Sequence, residues 1–193
     1  MIRFFVLAAA AALALLTSCS GEPTVQKYFV EKSESPDFIA VDLSPSFIKT
    51  DSLNISEDQK KAINSVKSIN VLVFNPKQKN AGEFNTETTK VKGILKTDHY
   101  DELIKINHDG FGASINTKGE GEHIEEFVLY AQSPETGFGV VRVTGNDMTP
   151  SNVMTIAEVL QKANLDTKQL EPLKQLLKEK QQHRIEHKAE FAN

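Results

Sequence analysis

The fold of this chain is decided by residues 103–115, which read Leu103-Ile104-Lys105-Ile106-Asn107-His108-Asp109-Gly110-Phe111-Gly112-Ala113-Ser114-Ile115. Apolar residues alternate with polar or small ones on both sides of Asp109-Gly110, and a period of two is typical of a β-strand with one buried face. Asp-Gly between two such runs favours a type I′ turn, because both central residues of that turn need a positive φ. The stretch therefore predicts an antiparallel hairpin.

Two further strands are predicted directly after this hairpin. Residues 118–122 are a Gly-rich turn, and residues 123–131 and 138–143 are two apolar runs on either side of the polar turn at 133–137. Short strands that follow one another through tight turns are typical of an antiparallel meander. The second half of the chain is therefore expected to form four strands in succession.

Helices and strands alternate before the hairpin. Residues 24–32 have apolar side chains at the spacing of one helix face, and residues 38–43 follow as a short apolar strand. Ser56 and Gln59 have the spacing of a capping box, which predicts an amphipathic helix whose apolar stripe extends to Ile69. That helix leads into residues 71–74, which are apolar enough to form a strand buried on both faces.

Two more helices are predicted from their N-terminal signals. Asn80 and Glu83 repeat the capping pattern ahead of residues 81–96. Thr149 followed by Pro150 is typical of an N-cap with proline at the first helical position, and it predicts a helix with one apolar face.

This order of elements predicts an α+β domain over residues 24–163. We expect a mainly antiparallel sheet of about five to six strands with helices packed on one face. The connection between the first two strands is expected to be a right-handed crossover. Residues 164–193 are predicted to form a C-terminal helix of mixed charge, which begins near Pro172 and is solvated towards its end.

The first 18 residues predict a signal peptide. Arg3 supplies the positive charge, and residues 4–16 form an apolar run of the length that signal peptides have. This run is too short for a permanent transmembrane helix, which needs about 20 apolar residues. We therefore expect residues 1–18 to be removed.

Leu16-Thr17-Ser18-Cys19 is a lipobox, and Cys19 is the only cysteine of the chain. A single thiol at a cleavage site fits neither a disulfide scaffold nor a buried thiol in an exported protein. We expect Cys19 to be the lipidated N-terminus of the mature chain and residues 19–23 to be a short tether. The single acidic residue of that tether, Glu22, favours the periplasmic side, and Ser20 instead of an aspartate after Cys19 favours the outer membrane.

The net charge of the chain disfavours some classes of binding partner. It has 22 basic and 26 acidic residues, a formal charge of −4. Removal of Arg3 with the leader leaves 21 basic residues against 26 acidic ones, a formal charge of −5. This balance disfavours binding to nucleic acid or a polybasic membrane patch. We expect the membrane to be contacted through the lipid anchor, and the partner to be an envelope protein or a small molecule.

A series of short segments, most of them apolar, occurs in a fixed order along the chain. They are Tyr28-Phe29, residues 38–44, Phe47, residues 69–74, residues 100–104, Asp109-Gly110, residues 125–129 and residues 143–145. In this order they resemble the domain of unknown function 4252 (DUF4252), a family composed mostly of small lipoproteins of Bacteroidota. The resemblance covers about residues 24–160 and rests on hydrophobic order. It implies an envelope lipoprotein and assigns no chemistry.

One motif could bind a metal. His183, Glu186 and His187 fit the H-x-x-E-H pattern, and on a helix the two histidines share a face that can hold zinc, with the glutamate beside a bound water. A catalytic zinc also needs a third protein ligand and a shielded cleft, whereas this motif falls on a charged terminal segment. A solvated helix end is the favoured interpretation.

Other polar clusters have simpler explanations. The acidic residues around His123 are typical of a solvated turn, and the three Gly-x-Gly pairs that begin at 110, 119 and 137 fall in or beside predicted hairpins. His99 beside Asp98 and His108 beside Asp109 are expected at the surface. The acidic residues near His123 are Glu120, Glu122, Glu125 and Glu126.

The sequence thus predicts a non-enzymatic, membrane-tethered binding module of the cell envelope that needs no cofactor and binds no nucleic acid. The alternative is a metal-binding protein or metal-dependent hydrolase that uses His183, Glu186 and His187.

Overall fold

The computed structural model describes residues 22–44, 46, 55–74 and 81–162. Cys19 and the rest of the leader, Asn80, and the C-terminal segment with His183, Glu186 and His187 lie outside these residues. The described helices are α1 (Val25–Ser33), α2 (Glu57–Asn64), α3 (Ala81–Thr97) and α4 (Pro150–Lys162). The described strands are β1 (Phe38–Leu43), β2 (Val66–Phe74), β3 (Asp101–His108), β4 (Phe111–Glu120), β5 (His123–Ser133) and β6 (Gly137–Met148).

The strands form a six-stranded sheet in the order β1-β2-β6-β5-β4-β3, with every neighbouring pair antiparallel. The predicted α+β class and the predicted meander are confirmed. β1 and β2 are antiparallel neighbours, so the expected right-handed crossover was wrong, because that rule applies to parallel strands. β1 and β3 are the edges of the sheet.

Local signals determined the turns and caps. Asp109 and Gly110 have φ values of 44° and 81°, as the hairpin turn requires. The Ser56 hydroxyl accepts a hydrogen bond from the Gln59 backbone N–H, and the Gln59 side chain accepts one from the Ser56 backbone N–H. Thr149 caps α4 by accepting from the Asn152 backbone N–H at 3.2 Å. These predictions are confirmed.

The boundary between α2 and β2 differs from the prediction. The helix ends at Asn64, and Val66 and Ile69, which were predicted to extend its apolar stripe, belong to β2. The Ser65 hydroxyl donates to the Ala62 carbonyl at 2.7 Å, which satisfies an acceptor at the end of the helix. β-branched residues then favour the extended strand that pairs with β6.

Helices pack on both faces of the sheet, not on one face as predicted. Successive side chains of a strand point to opposite faces, and in β2 Ile69 belongs to one apolar core while Leu72 belongs to the other. The first core lies under α2 and α4, and the second lies under α1 and α3. The two cores follow from a β2 strand that is apolar on both faces.

The helices leave one end of the sheet uncovered. β3 is exposed along its whole length except at the half-buried Ile104. β3 therefore presents both of its faces to solvent, whereas most of β4 is buried or half-buried. No helix in the described parts of the chain is long and apolar enough to cross a membrane.

Candidate functional site

An apolar trough lies on the face of the β3–β4 hairpin that adjoins α4. It has a volume of about 590 Å³ and is open to solvent. Ile106 is 52% exposed and Met154 is 37% exposed at its two sides. Phe111, which is 45% exposed, follows the hairpin turn on the same face of the strand as Ala113. The main apolar lining residues are Ile104, Ile106, Ile115, Leu129, Val141 and Met154.

The trough exists because α4 covers only part of its face. Val153, Ile156 and Val159 are buried in the core, whereas Met154 and Ala157 line the trough from the side. Beyond them the apolar side chains of β3 and β4 have no helix above them among the described elements. This arrangement can bury apolar groups of a second molecule.

A lysine cleft lies on the opposite face of the same hairpin. It has a volume of about 380 Å³ and lies between the C-terminal half of α3 and the strands β3 and β4. Lys92, Lys96 and Lys105 line it together with one carboxylate, Glu102. The polar floor includes Asn116, which is 5% exposed and donates from Nδ2 to the Ser114 hydroxyl at 2.8 Å.

The cations of this cleft are only partly neutralised. Lys105 is 2.8 Å from Glu102. Within the described parts of the chain, neither Lys92 nor Lys96 has a carboxylate partner. The Lys92 ammonium instead lies 6.0 Å from the centre of the Tyr130 ring, which attracts it through the negative face of the ring.

A buried carboxylate beside the cleft holds the start of α1. Asp98, which is 9% exposed, accepts from the Val25 backbone N–H at 3.2 Å and from Lys118 Nζ at 2.9 Å. Sequence reasoning placed Asp98 at the surface with His99, and no local pattern distinguishes it. The contact that buries it joins residues 73 positions apart.

A second network, which is half-buried, includes Tyr100, shortly after the end of α3. The Tyr100 hydroxyl donates to the Glu126 carboxylate, which also accepts from Arg142 Nη2 at 2.6 Å. Burial and this hydrogen bond raise the pKa of Tyr100 well above its ordinary value, so its hydroxyl stays protonated. The Glu126 carboxylate and the Arg142 guanidinium neutralise each other, and the Tyr100 hydroxyl adds a hydrogen bond to the same carboxylate.

The acidic residues around His123 do not converge on one site. Glu126 faces the network just described, whereas Glu120, Glu122 and Glu125 are exposed. His123 pairs with Asp147, and this hydrogen bond raises the pKa of His123. In residues 22–162, so far as they are described, no group of three or more His, Cys, Asp or Glu side chains is placed to hold a metal ion.

The Gly-x-Gly pairs serve the hairpins, as predicted. Gly110 and Gly121 have positive φ in turns, and Gly119 lies at a register shift between β4 and β5. A Cβ atom at Gly119 would be 2.0 Å from the His123 carbonyl oxygen. Close backbone approach explains this glycine, and phosphate binding is not needed to explain it.

A family model described as Domain of unknown function (DUF4252) matches residues 28–156 of the chain. This range includes both faces of the β3–β4 hairpin and α3. No curated protein and no solved structure matches the chain.

Proposed function

The chain belongs to the DUF4252 family, and from this premise we propose that it is a lipoprotein of the cell envelope whose domain binds a protein partner without catalysing a reaction. Cys19 is the lipid attachment site in this proposal, and the domain faces the periplasm from the outer membrane. The observation that supports the binding role is the apolar trough.

The dimensions of the trough fit one helix. Neighbouring strands lie about 4.8 Å apart, so β3 and β4 together span about 10 Å. An α-helix with its side chains is about 10–12 Å across. An amphipathic helix of the partner, laid beside α4, would complete the helical layer on this face, as in other helix-in-groove complexes.

A bound helix would bury more of the apolar surface of Ile106, Met154 and Phe111. Full burial of an isoleucine or methionine side chain is worth roughly 1.5–3 kcal/mol, and Ile106 and Met154 already bury part of their surfaces. Each would then contribute about 1 kcal/mol, and Phe111 would contribute a similar amount. Such half-exposed apolar side chains grouped on one face are typical of interaction surfaces.

The polar interior supports a binding role over a catalytic one. Glu126 is paired with Arg142, and Asp98 is paired with Lys118. In the same way, Glu87 between α1 and α3 accepts from Lys32 at 2.7 Å. These carboxylates are occupied in holding elements together, which favours a structural role for them.

Site-specific photocrosslinking in native envelopes tests the proposal. A photoreactive residue in place of Ile106 should yield a discrete adduct with one partner protein. The matched control is the same replacement at Val30, an apolar residue of α1 that is 68% exposed and lies outside the trough. Met154→Glu on the opposite wall should abolish the adduct at position 106. The proposal is wrong if positions 106 and 30 give the same adducts, or if Met154→Glu leaves the adduct unchanged.

A further inference from the structure

The two faces of the β3–β4 hairpin have opposite chemistry, and the lysine cleft lies on the face away from the trough. We propose that this cleft binds the phosphate group of an anionic lipid headgroup in the membrane that carries the protein. This inference rests on the proposed lipid attachment at Cys19.

The fold brings three lysines together in the cleft, although the net charge of the chain is negative. Lys92 and Lys96 lie one turn apart on α3, and Lys105 reaches the same cleft from β3. Glu102 is the only carboxylate among the described residues that line the cleft, and it offsets one of the three cations. The remaining positive charge stands out in a chain whose formal charge is −4.

The lysines are accessible, and the cleft offers further hydrogen-bond donors. Lys92, Lys96 and Lys105 are all exposed, so their ammonium groups can approach a headgroup without opening the fold. Asn107 contributes a side-chain amide, and Ser114 contributes a hydroxyl. Ammonium groups bind phosphate as compact point charges with three donors each, and neighbouring amides and hydroxyls complete its hydrogen bonds.

The start of α1 places the cleft near the proposed anchor. The Val25 N–H donates to Asp98. Asp98 is two residues from Lys96 and two from Tyr100 along the chain, and both of these line the cleft. Six residue steps separate Val25 from Cys19, and an extended chain advances at most about 3.4 Å per residue. The lipid attachment point is then within about 20 Å of Val25. So short a tether keeps the domain close to the membrane surface, where anionic lipids attract lysines.

Vesicle binding tests this inference on the chain from residue 19 to residue 193 with Cys19→Ser, so that no acyl chain contributes. The protein should co-sediment with phosphatidylcholine vesicles that contain phosphatidylglycerol, and only weakly with phosphatidylcholine alone. Each lysine near an anionic surface contributes about a fivefold change in partitioning, so Lys92→Gln with Lys96→Gln should weaken binding about 25-fold. The matched control is Lys61→Gln with Lys67→Gln, which removes the same charge from exposed positions outside the cleft.

The other outcomes overturn the inference. Equal losses in the two double variants would show attraction by net charge without a site. Saturable binding of glycerol 3-phosphate, together with no preference for anionic vesicles, would assign the cleft to a soluble phosphate ester. Each variant is checked by its unfolding midpoint, which exposed lysines should leave unchanged.

Failure of the proposed phosphate binding by the lysine cleft is distinguishable from failure of the proposed function. The vesicle assay uses unacylated protein and the cleft face, whereas crosslinking at Ile106 reports on the trough. Lipidation is read separately, as acylation of Cys19 in cells.

Discussion

Phe138 is the residue whose replacement best tests the two-sided packing of the sheet. It is 3% exposed and belongs to the core under α1 and α3. Its ring stacks on Phe74 at 5.2 Å and lies within 6.4 Å of three other rings, those of Phe38, Phe84 and Tyr130. If helices covered only the face of α2 and α4, this cluster would be exposed to water.

Phe138→Leu should lower the free energy of unfolding by about 2–3 kcal/mol. The smaller side chain leaves a space worth about 1 kcal/mol. Loss of the aromatic contacts adds about 1–2 kcal/mol, because one such pair is worth about 0.5–1.5 kcal/mol beyond its burial and the contributions of rings in one packed cluster do not add fully. With a urea m-value of about 2 kcal/mol/M, the midpoint should fall by about 1–1.5 M.

Urea unfolding of the unacylated chain, followed by circular dichroism, provides the measurement. Phe111→Leu is the matched control, because Phe111 is 45% exposed beside the hairpin turn. It should change the free energy of unfolding by less than about 0.5 kcal/mol. Equal effects of the two substitutions would refute the reasoning, since a helix layer over Phe138 predicts that only the buried ring matters.

Four further predictions concern the hairpins, a surface pair, the anchor and the terminal motif. Gly119→Ala should lower the unfolding midpoint, because its Cβ would lie 2.0 Å from a backbone carbonyl oxygen. By NMR titration, His123 should have a pKa above its ordinary 6.5, and Asp147→Asn should lower that pKa. The contribution of this pair to the free energy of unfolding is fully present below about pH 6.5. It is lost as the pH rises through the raised pKa of His123 in the folded state. In cells, Cys19→Ala should abolish incorporation of labelled palmitate and release the protein from membranes. Elemental analysis of the untagged chain should find no stoichiometric zinc. If the chain instead holds one zinc, and replacement of both His183 and His187 removes it, the alternative metal site is established.

Sequence reasoning succeeded where the information is local. The Asp109-Gly110 turn needs positive φ at two adjacent residues, and the Ser56 capping box joins residues three apart. Such features are determined by neighbours in the chain. The boundary at Ser65 was missed because Val66 and Ile69 satisfy both a helical stripe and a strand, and pairing with β6 decides between them.

The surfaces of the hairpin required the three-dimensional structure. Lys92 and Lys96 are recognisable as neighbours on a helix, but no pattern connects them with Lys105 on β3. Asp98 is buried by contacts with α1 and β4, both of which are distant in sequence. Both features depend on where α3 crosses the sheet, which hydrophobic periodicity does not specify. A polar cluster formed from separate elements is therefore missed when charge is counted along the chain.

The two proposed binding surfaces lie on opposite faces of the β3–β4 hairpin. Ile104 and Ile106 face the trough while Lys105 between them faces the cleft, because side chains alternate along β3. If the cleft contacts lipid headgroups, the trough faces away from the bilayer and stays accessible. A charge at Lys105 and a register shift beside Leu103 also oppose unwanted pairing of this exposed edge strand. The edge strand β3 can then remain exposed without becoming a site of edge-to-edge aggregation.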